Sequence, residues 1–291
     1  MNEAKLGNAE LIAEKLVRDE NLSLPIDVLA LAQQRDIVVE AKPETARGVS
    51  GMLIRSGERY AIAYATNVKS QGFRRFSIAH ELGHYFLPGH PDALFKAAYG
   101  VHESRAGFGS GDQIELEADH FAAGLLMPSH LFAKEMGKYA DGLAAIEKLA
   151  ETCNTSLTAS AIRCARLTDT AVAIVMSVGL SVEYSFASKT IRRLKGYQHL
   201  KKGAPLPHDS LTRQFNVTAS NVEHAKRDEG QTDLMDWFHT DDEIEATEEV
   251  LGLGDYGKTL TVMTADIREE DGDDDDAEVE RQWREPKFSY R

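Results

Sequence analysis

The chain has 291 residues, 42% hydrophobic and 27% charged, a globular composition that excludes wholesale disorder. It contains no run of 18 apolar residues and no apolar stretch near its start, so neither a membrane-crossing helix nor a secretory signal is expected. The net charge of −14 is unevenly placed: residues 223–280 hold 22 acidic and 4 basic residues, residues 281–291 carry +3, and the remainder is near neutral at +1.

Apolar spacing predicts a helix over 9–18 with Leu11, Ile12, Leu16 and Val17 on its buried face. Leu24-Pro25 opens a second helix, with Ile26, Leu29 and Ala30 turned inward. Short strands are expected at 37–41, 48–54 and 60–64, the last two forming a hairpin across Arg55-Ser-Gly-Glu-Arg. A helical period returns from Gln71 to Phe86. Residues 88–112, rich in Gly, Pro and His, read as a long loop. A second strong helix covers about 113–127 and stops before Pro128. Three shorter helices follow near 129–138, 141–152 and 157–167. After Thr168 the pattern turns strand-like, at 171–177, 182–187 and 260–265, which places a domain boundary near 168. The class is therefore α+β.

Segment 149–167 resembles two helices around a short turn, but only Arg163 and Arg166 lend its second helix positive charge. That is too little for a phosphate-binding face, so packing against the preceding domain is the better expectation. The acidic segment 223–280 also repels nucleic acid, and direct binding to it is not expected. Within it, Asp271 to Glu278 reads as a solvated loop, and 266–280 as an acidic tail; the oxygens lack the spacing of a calcium loop. Cys153 and Cys164 are too few for a disulfide scaffold and fit a reducing cytoplasm.

The chemistry is concentrated in His80-Glu81-Leu82-Gly83-His84, an HExxH motif inside the predicted 71–86 helix. One helical turn separates the two histidines, so both imidazoles can reach one metal ion, while Glu81 can reach a water on that metal without being a ligand. Random shuffling of this composition would produce the motif about 0.03 times. The flanking residues, Phe76-Ser-Ile-Ala before it and Tyr85-Phe-Leu after it, are mostly apolar. Polar groups buried in such surroundings need partners, and a metal supplies one.

A catalytic zinc ion needs a third protein ligand. In the second strong helix Glu115 and Asp119 share a face, while Glu117 lies about 200° around from each. Glu115 is the expected ligand and Asp119 the expected acceptor for a histidine N–H. Glu117 is expected to face solvent or cap the helix. His90 and His102, in the intervening loop, are expected to lie outside the metal site. A donor for the tetrahedral oxyanion could be Tyr85, His102, Arg105 or His120.

FSIAHELGHYFLPGH followed by QIELEADHFAAGLLMP resembles the ImmA/IrrE family of zinc metallopeptidases, which pairs HExxH with a downstream ExxA(N/D)xFAxxLLMP helix. The resemblance extends over roughly the first 165 residues, including the Gly48-Val-Ser-Gly strand. It implies a zincin-like domain over 1–167, built of a small sheet, the HExxH helix and a ligand helix, with trailing helices over 129–167. Matched residue by residue, it implies His80, His84 and Glu115 as ligands of one Zn²⁺ and Glu81 as the catalytic glutamate. It further implies a cytoplasmic endopeptidase that cuts a helix-turn-helix repressor or antitoxin and so derepresses stress-response or mobile-element genes. Some members carry a GAF-like C-terminal domain, and residues 168–291 are the corresponding candidate for a regulatory domain. The competing class is a non-catalytic regulator that binds a repressor or DNA and uses zinc structurally. Glu81 argues against it, because a structural site needs no general base.

Overall fold

The computed structural model describes residues 3–42, 49–66, 70–96, 99–104 and 112–267, which fall into two compact units. The first holds 3–135 and 149–156; the second holds 136–148 and 157–267. In chain order the elements begin with α1 (Glu3–Asp19), α2 (Val28–Gln33), β1 (Val38–Lys42), β2 (Gly51–Ser56), β3 (Arg59–Ala65) and α3 (Gln71–Phe86). They continue with α4 (His90–Leu94), β4 (Tyr99–Ser104), α5 (Gln113–Leu126), α6 (Ser129–Met136), α7 (Leu143–Cys153) and α8 (Leu157–Leu167). The rest is β5 (Ala171–Val178), β6 (Ser181–Ala187), α9 (Lys189–Arg192), α10 (Leu211–Val217), α11 (Ala219–Glu223), β7 (Arg227–Asp233), α12 (Leu234–Phe238), β8 (Glu245–Gly252) and β9 (Thr259–Ala265).

The first unit sets α1, α3 and α5 beside a four-stranded sheet of order β1-β3-β2-β4. β1 runs parallel to β3, and the other pairs are antiparallel. The β2–β3 hairpin turns at Gly57, whose φ of 65° suits a residue without a Cβ. Ser70 caps α3 by accepting from the Phe73 N–H, and Asp112 caps α5 by accepting from the Ile114 N–H.

Two expected faces are corrected. α1 buries Leu6, Ala9, Ala13 and Val17 and leaves Leu11 60% exposed. The reason is its neighbour: α5 presents Gly124 there, where an added Cβ would lie 2.8 Å from the Glu10 side chain, so small residues set the interface. α2 begins at Val28 with Asp27 as its cap, and it buries Val28 and Leu31 while Leu29 is 51% exposed. The expected 88–112 loop is also interrupted by α4 and β4, because β4 finds hydrogen-bonding partners along β2.

The second unit is an antiparallel five-stranded sheet of order β6-β5-β9-β8-β7, with a core around Trp237, Phe238, Ile191 and Met263. α8 packs on β5 and β6 within this unit and buries Ala161, Cys164 and Ala165. By contacts, residues 157–167 group with this sheet. Arg163 is itself buried, at 3% exposed, which removes it from any phosphate-binding surface. The acidic segment is folded as far as it is described, since β7, α12, β8 and β9 lie within it. Asp271–Glu278 and the rest of the expected acidic tail beyond residue 267 lie outside the described residues.

Candidate metal centre

α3 holds His80 and His84 one turn apart on a fully buried face, and α5 brings Glu115 to meet them. The helices approach closely because Gly83 lies opposite Ala118: a Cβ on Gly83 would sit 3.2 Å from the Ala118 backbone. The His80 and His84 Nε2 atoms are 3.1 Å apart. His80 Nε2 is 3.5 Å from Glu115 Oε2, and His84 Nε2 is 3.3 Å from Glu115 Oε1. Donors held about 2.0–2.1 Å from a common tetrahedral centre would stand about 3.3–3.4 Å apart, so the three distances have the size a zinc-like ion requires.

Hydrogen bonding fixes which ring atoms face inward. His80 Nδ1 lies 2.7 Å from Asp119 Oδ1 and donates to it. Asp119, expected as the acceptor for a histidine N–H, occupies that position. His84 Nδ1 lies 3.1 Å from His90 Nδ1. With both Nδ1 protons turned outward, as metal binding requires, two Nε2 lone pairs and a carboxylate converge on one point. That arrangement is repulsive without a cation, and the donor set is the one zinc favours. Without a metal a proton is the available cation. Burial opposes the charged form of His80, but the carboxylates of Asp119, Glu115 and Glu81 together outweigh it and push the imidazole up to about 10. Burial pushes His84 down to about 3, against the attraction of Glu115. Glu115 is held well below the usual carboxylate range: the interactions with His102, His80 and His84 together overcome the effect of burial.

Glu81 is completely buried beside this group; among the described residues neither of its oxygens has a partner in hydrogen-bonding geometry, though the Ser104 hydroxyl acts on it. Burial pushes its carboxyl up to about 7, against the pull of His80. β2 accommodates the side chain only because residue 51 is glycine; a Cβ there would stand 2.5 Å from Glu81 Oε1. This gives Gly51, the first residue of β2, a physical purpose.

Three residues expected outside the site are brought to it. His102, on β4 opposite Leu53, places Nε2 2.8 Å from Glu115 Oε1. His90, at the start of α4, is 3% exposed and touches His84. Glu117 is partly exposed, yet its Oε2 lies 3.1 Å from His90 Nε2 and its Oε1 accepts from Gln113 Nε2 at 3.0 Å. A usable sequence signal existed for His90, which follows His84 by six residues, the interval of the third histidine in HExxHxxGxxH proteins. Of the four oxyanion candidates, His102 joins the cluster. Tyr85 packs edge-on against Tyr60, His120 faces Glu10 at 3.9 Å, and Arg105 lies outside the described residues.

Residues 32–165 match a family model described as the IrrE N-terminal-like domain, and the matched stretch contains the whole cluster. These residues belong to the ImmA/IrrE family. The ImmA/IrrE match points to a peptidase, and the buried His80–His84–Glu115 group supplies a place for a metal ion. No curated protein matches the chain. Among solved structures, one titled Mycobacterium tuberculosis transcriptional regulator is similar in fold, with a TM-score of 0.53 at 12% identity, covering 89% of this chain and 76% of that chain. Among the described residues, no helix is long and apolar enough to cross a membrane.

Proposed function

We propose that the chain is a zinc-dependent endopeptidase, and that Glu81 is its general base and acid. The observation that carries this reading is a fully buried carboxylate, without a formed hydrogen bond among the described residues, held beside a His–His–Glu donor set. A structural metal site gives no reason to tolerate such a group, since an unsatisfied buried polar atom costs about 1–3 kcal/mol. His80, His84 and Glu115 would hold a zinc ion, which when bound would lower the pKa of water to about 7 and polarise a carbonyl. Glu81 accepts the proton of the attacking water and delivers it to the leaving amine. Asp119 keeps the His80 Nε2 lone pair turned inward. His102 holds one oxygen of Glu115 and lies close enough to the cluster to donate to a developing oxyanion.

The substrate in this reading is a helix-turn-helix repressor or antitoxin, as the ImmA/IrrE resemblance suggests, and cleavage in the cytoplasm derepresses stress-response or mobile-element genes. The transcriptional link is also the one that the similar solved structure carries in its title, for that protein. The second unit is proposed as a GAF-like sensor that licenses cleavage; its single antiparallel sheet flanked by helices is compatible with that role. Co-expression with a helix-turn-helix regulator from the same genome tests the reading. Cleavage by the parent chain and none by Glu81→Gln is expected. An intact regulator under both conditions would contradict the substrate assignment.

A further inference from the structure

The two metal-facing histidines are anchored differently. His80 donates directly to a carboxylate, Asp119, which lies on the same helix as Glu115. His84 has no carboxylate at its Nδ1. Its contact there is a second imidazole, His90, and behind His90 stands Glu117. From these contacts we infer that His90 and Glu117 are positioning residues for the metal centre, a His84–His90–Glu117 chain that fixes the tautomer and ring orientation of His84. The inference rests on the metal reading of the site.

Proton directions along the chain are mutually consistent. For His84 to offer Nε2 to a metal, its Nδ1 must carry the proton and donate. His90 Nδ1, 3.1 Å away, must then accept. A neutral His90 that accepts at Nδ1 carries its proton at Nε2, and that atom faces Glu117 Oε2 at 3.1 Å. Each donor meets an acceptor, and the chain ends on a carboxylate. Gln113, one turn earlier on α5, donates to the other Glu117 oxygen and holds it toward α4.

The same geometry excludes His90 as a ligand. Its interval after His84 would permit that role. Yet it meets His84 at Nδ1, on the opposite side of the ring from the Nε2 atom that faces His80 and Glu115. The backbone is shaped for this placement. Gly89 precedes α4 with φ +84°, a conformation that turns the chain sharply after Leu87-Pro88 and sets His90 against α3. His90 and Glu117 thus complete for His84 what Asp119 does alone for His80. Outer partners of this kind raise metal affinity by orienting the ligand and increasing its basicity.

The test is zinc affinity of the full chain by competition with a chromophoric chelator, together with absorption spectra after Co²⁺ substitution. The proteins compared are the parent, His90→Phe, Glu117→Gln, the double variant and His84→Ala. Each single variant is expected to bind zinc about 10–100-fold more weakly than the parent. The double variant should bind no more weakly than His90→Phe, because Glu117 acts through His90. The Co²⁺ ligand-field bands should shift in His90→Phe while melting of the metal-free chain does not. Glu117→Gln, at a partly exposed position, carries the test should His90→Phe fail to fold. Parent-like affinity in both single variants would overturn the inference alone. A fall to background in His90→Phe, matching His84→Ala, would make His90 a ligand and overturn it as well. Absence of zinc on the parent chain would overturn the metal reading itself, and the inference with it.

Discussion

Glu115 and Glu117 sit two positions apart on one helix and end in different places, which makes them the sharpest pair for substitution. Glu115→Ala removes a donor that stands 3.3 and 3.5 Å from the two histidine Nε2 atoms, and zinc content should fall to near background. Glu117→Ala should retain zinc with weakened affinity; elemental analysis of the purified proteins distinguishes the two. Gly51 offers a second residue-level prediction. Gly51→Ala places a Cβ 2.5 Å from Glu81 Oε1, so the carboxylate must move while the metal donors keep their places. Zinc stoichiometry should be unchanged and peptide hydrolysis should fall by about 10²-fold or more, the range for losing a general base. The HExxH histidines, Glu115 and Asp119 were legible because helical periodicity alone puts them on facing surfaces. His102, His90 and Glu117 were not, because their placement depends on how β4 and α4 fold back, and no local period encodes that.

Between elements, the decisive feature is the close approach of α3 and α5. Gly83→Val would drive a branched side chain into the Ala118 backbone, 3.2 Å from where a Cβ would begin. Overpacking of this kind typically costs about 1–3 kcal/mol, and here it should also lower zinc affinity by moving Glu115 away from the histidines. In the second unit the corresponding element-level device is Glu248. Fully buried, it accepts from the Leu211 and Thr212 N–H groups and from the Thr212 hydroxyl at the start of α10. Glu248→Leu strands those donors and should destabilise this unit by about 2–4 kcal/mol in denaturant unfolding, with zinc affinity unchanged.

The ends of elements were readable where punctuation is strong. α3 runs from Gln71 to Phe86, as its apolar period implies, between the Ser70 cap and Leu87-Pro88. β7 and β8 were not readable. β7 is Arg-Asp-Glu-Gly-Gln-Thr-Asp on a sheet edge, mostly exposed, and it is a strand only because β8 pairs with it along its whole length. α1 shows the opposite failure: its large apolar residues suggested one face, and the small residues facing Gly124 decided another.

For the molecule as a whole, the division into two units separates chemistry from charge. The complete candidate centre lies within the first unit, whereas the −18 segment starts in the second. Zinc should therefore stabilise the first unit by mass action, about 2.7 kcal/mol at a free concentration one hundred times Kd, and leave the second where it was. Scanning calorimetry with and without zinc checks this. If the acidic segment helps recruit a basic partner such as the DNA-binding face of a repressor, association should weaken as salt rises from about 0.05 to about 0.5 M, since screening shortens the reach of exposed charges.

The central claim is that Glu81 performs proton transfer at a zinc site formed by His80, His84 and Glu115. Its most direct measurement is hydrolysis of a peptide library by zinc-loaded parent and zinc-loaded Glu81→Gln, with new N-termini counted by mass spectrometry and zinc quantified in the same samples. Equal zinc in the two proteins, new N-termini with the parent, and a rate about 10²–10⁴-fold lower with Glu81→Gln are expected. Equal cleavage by the two proteins at equal zinc content would contradict it.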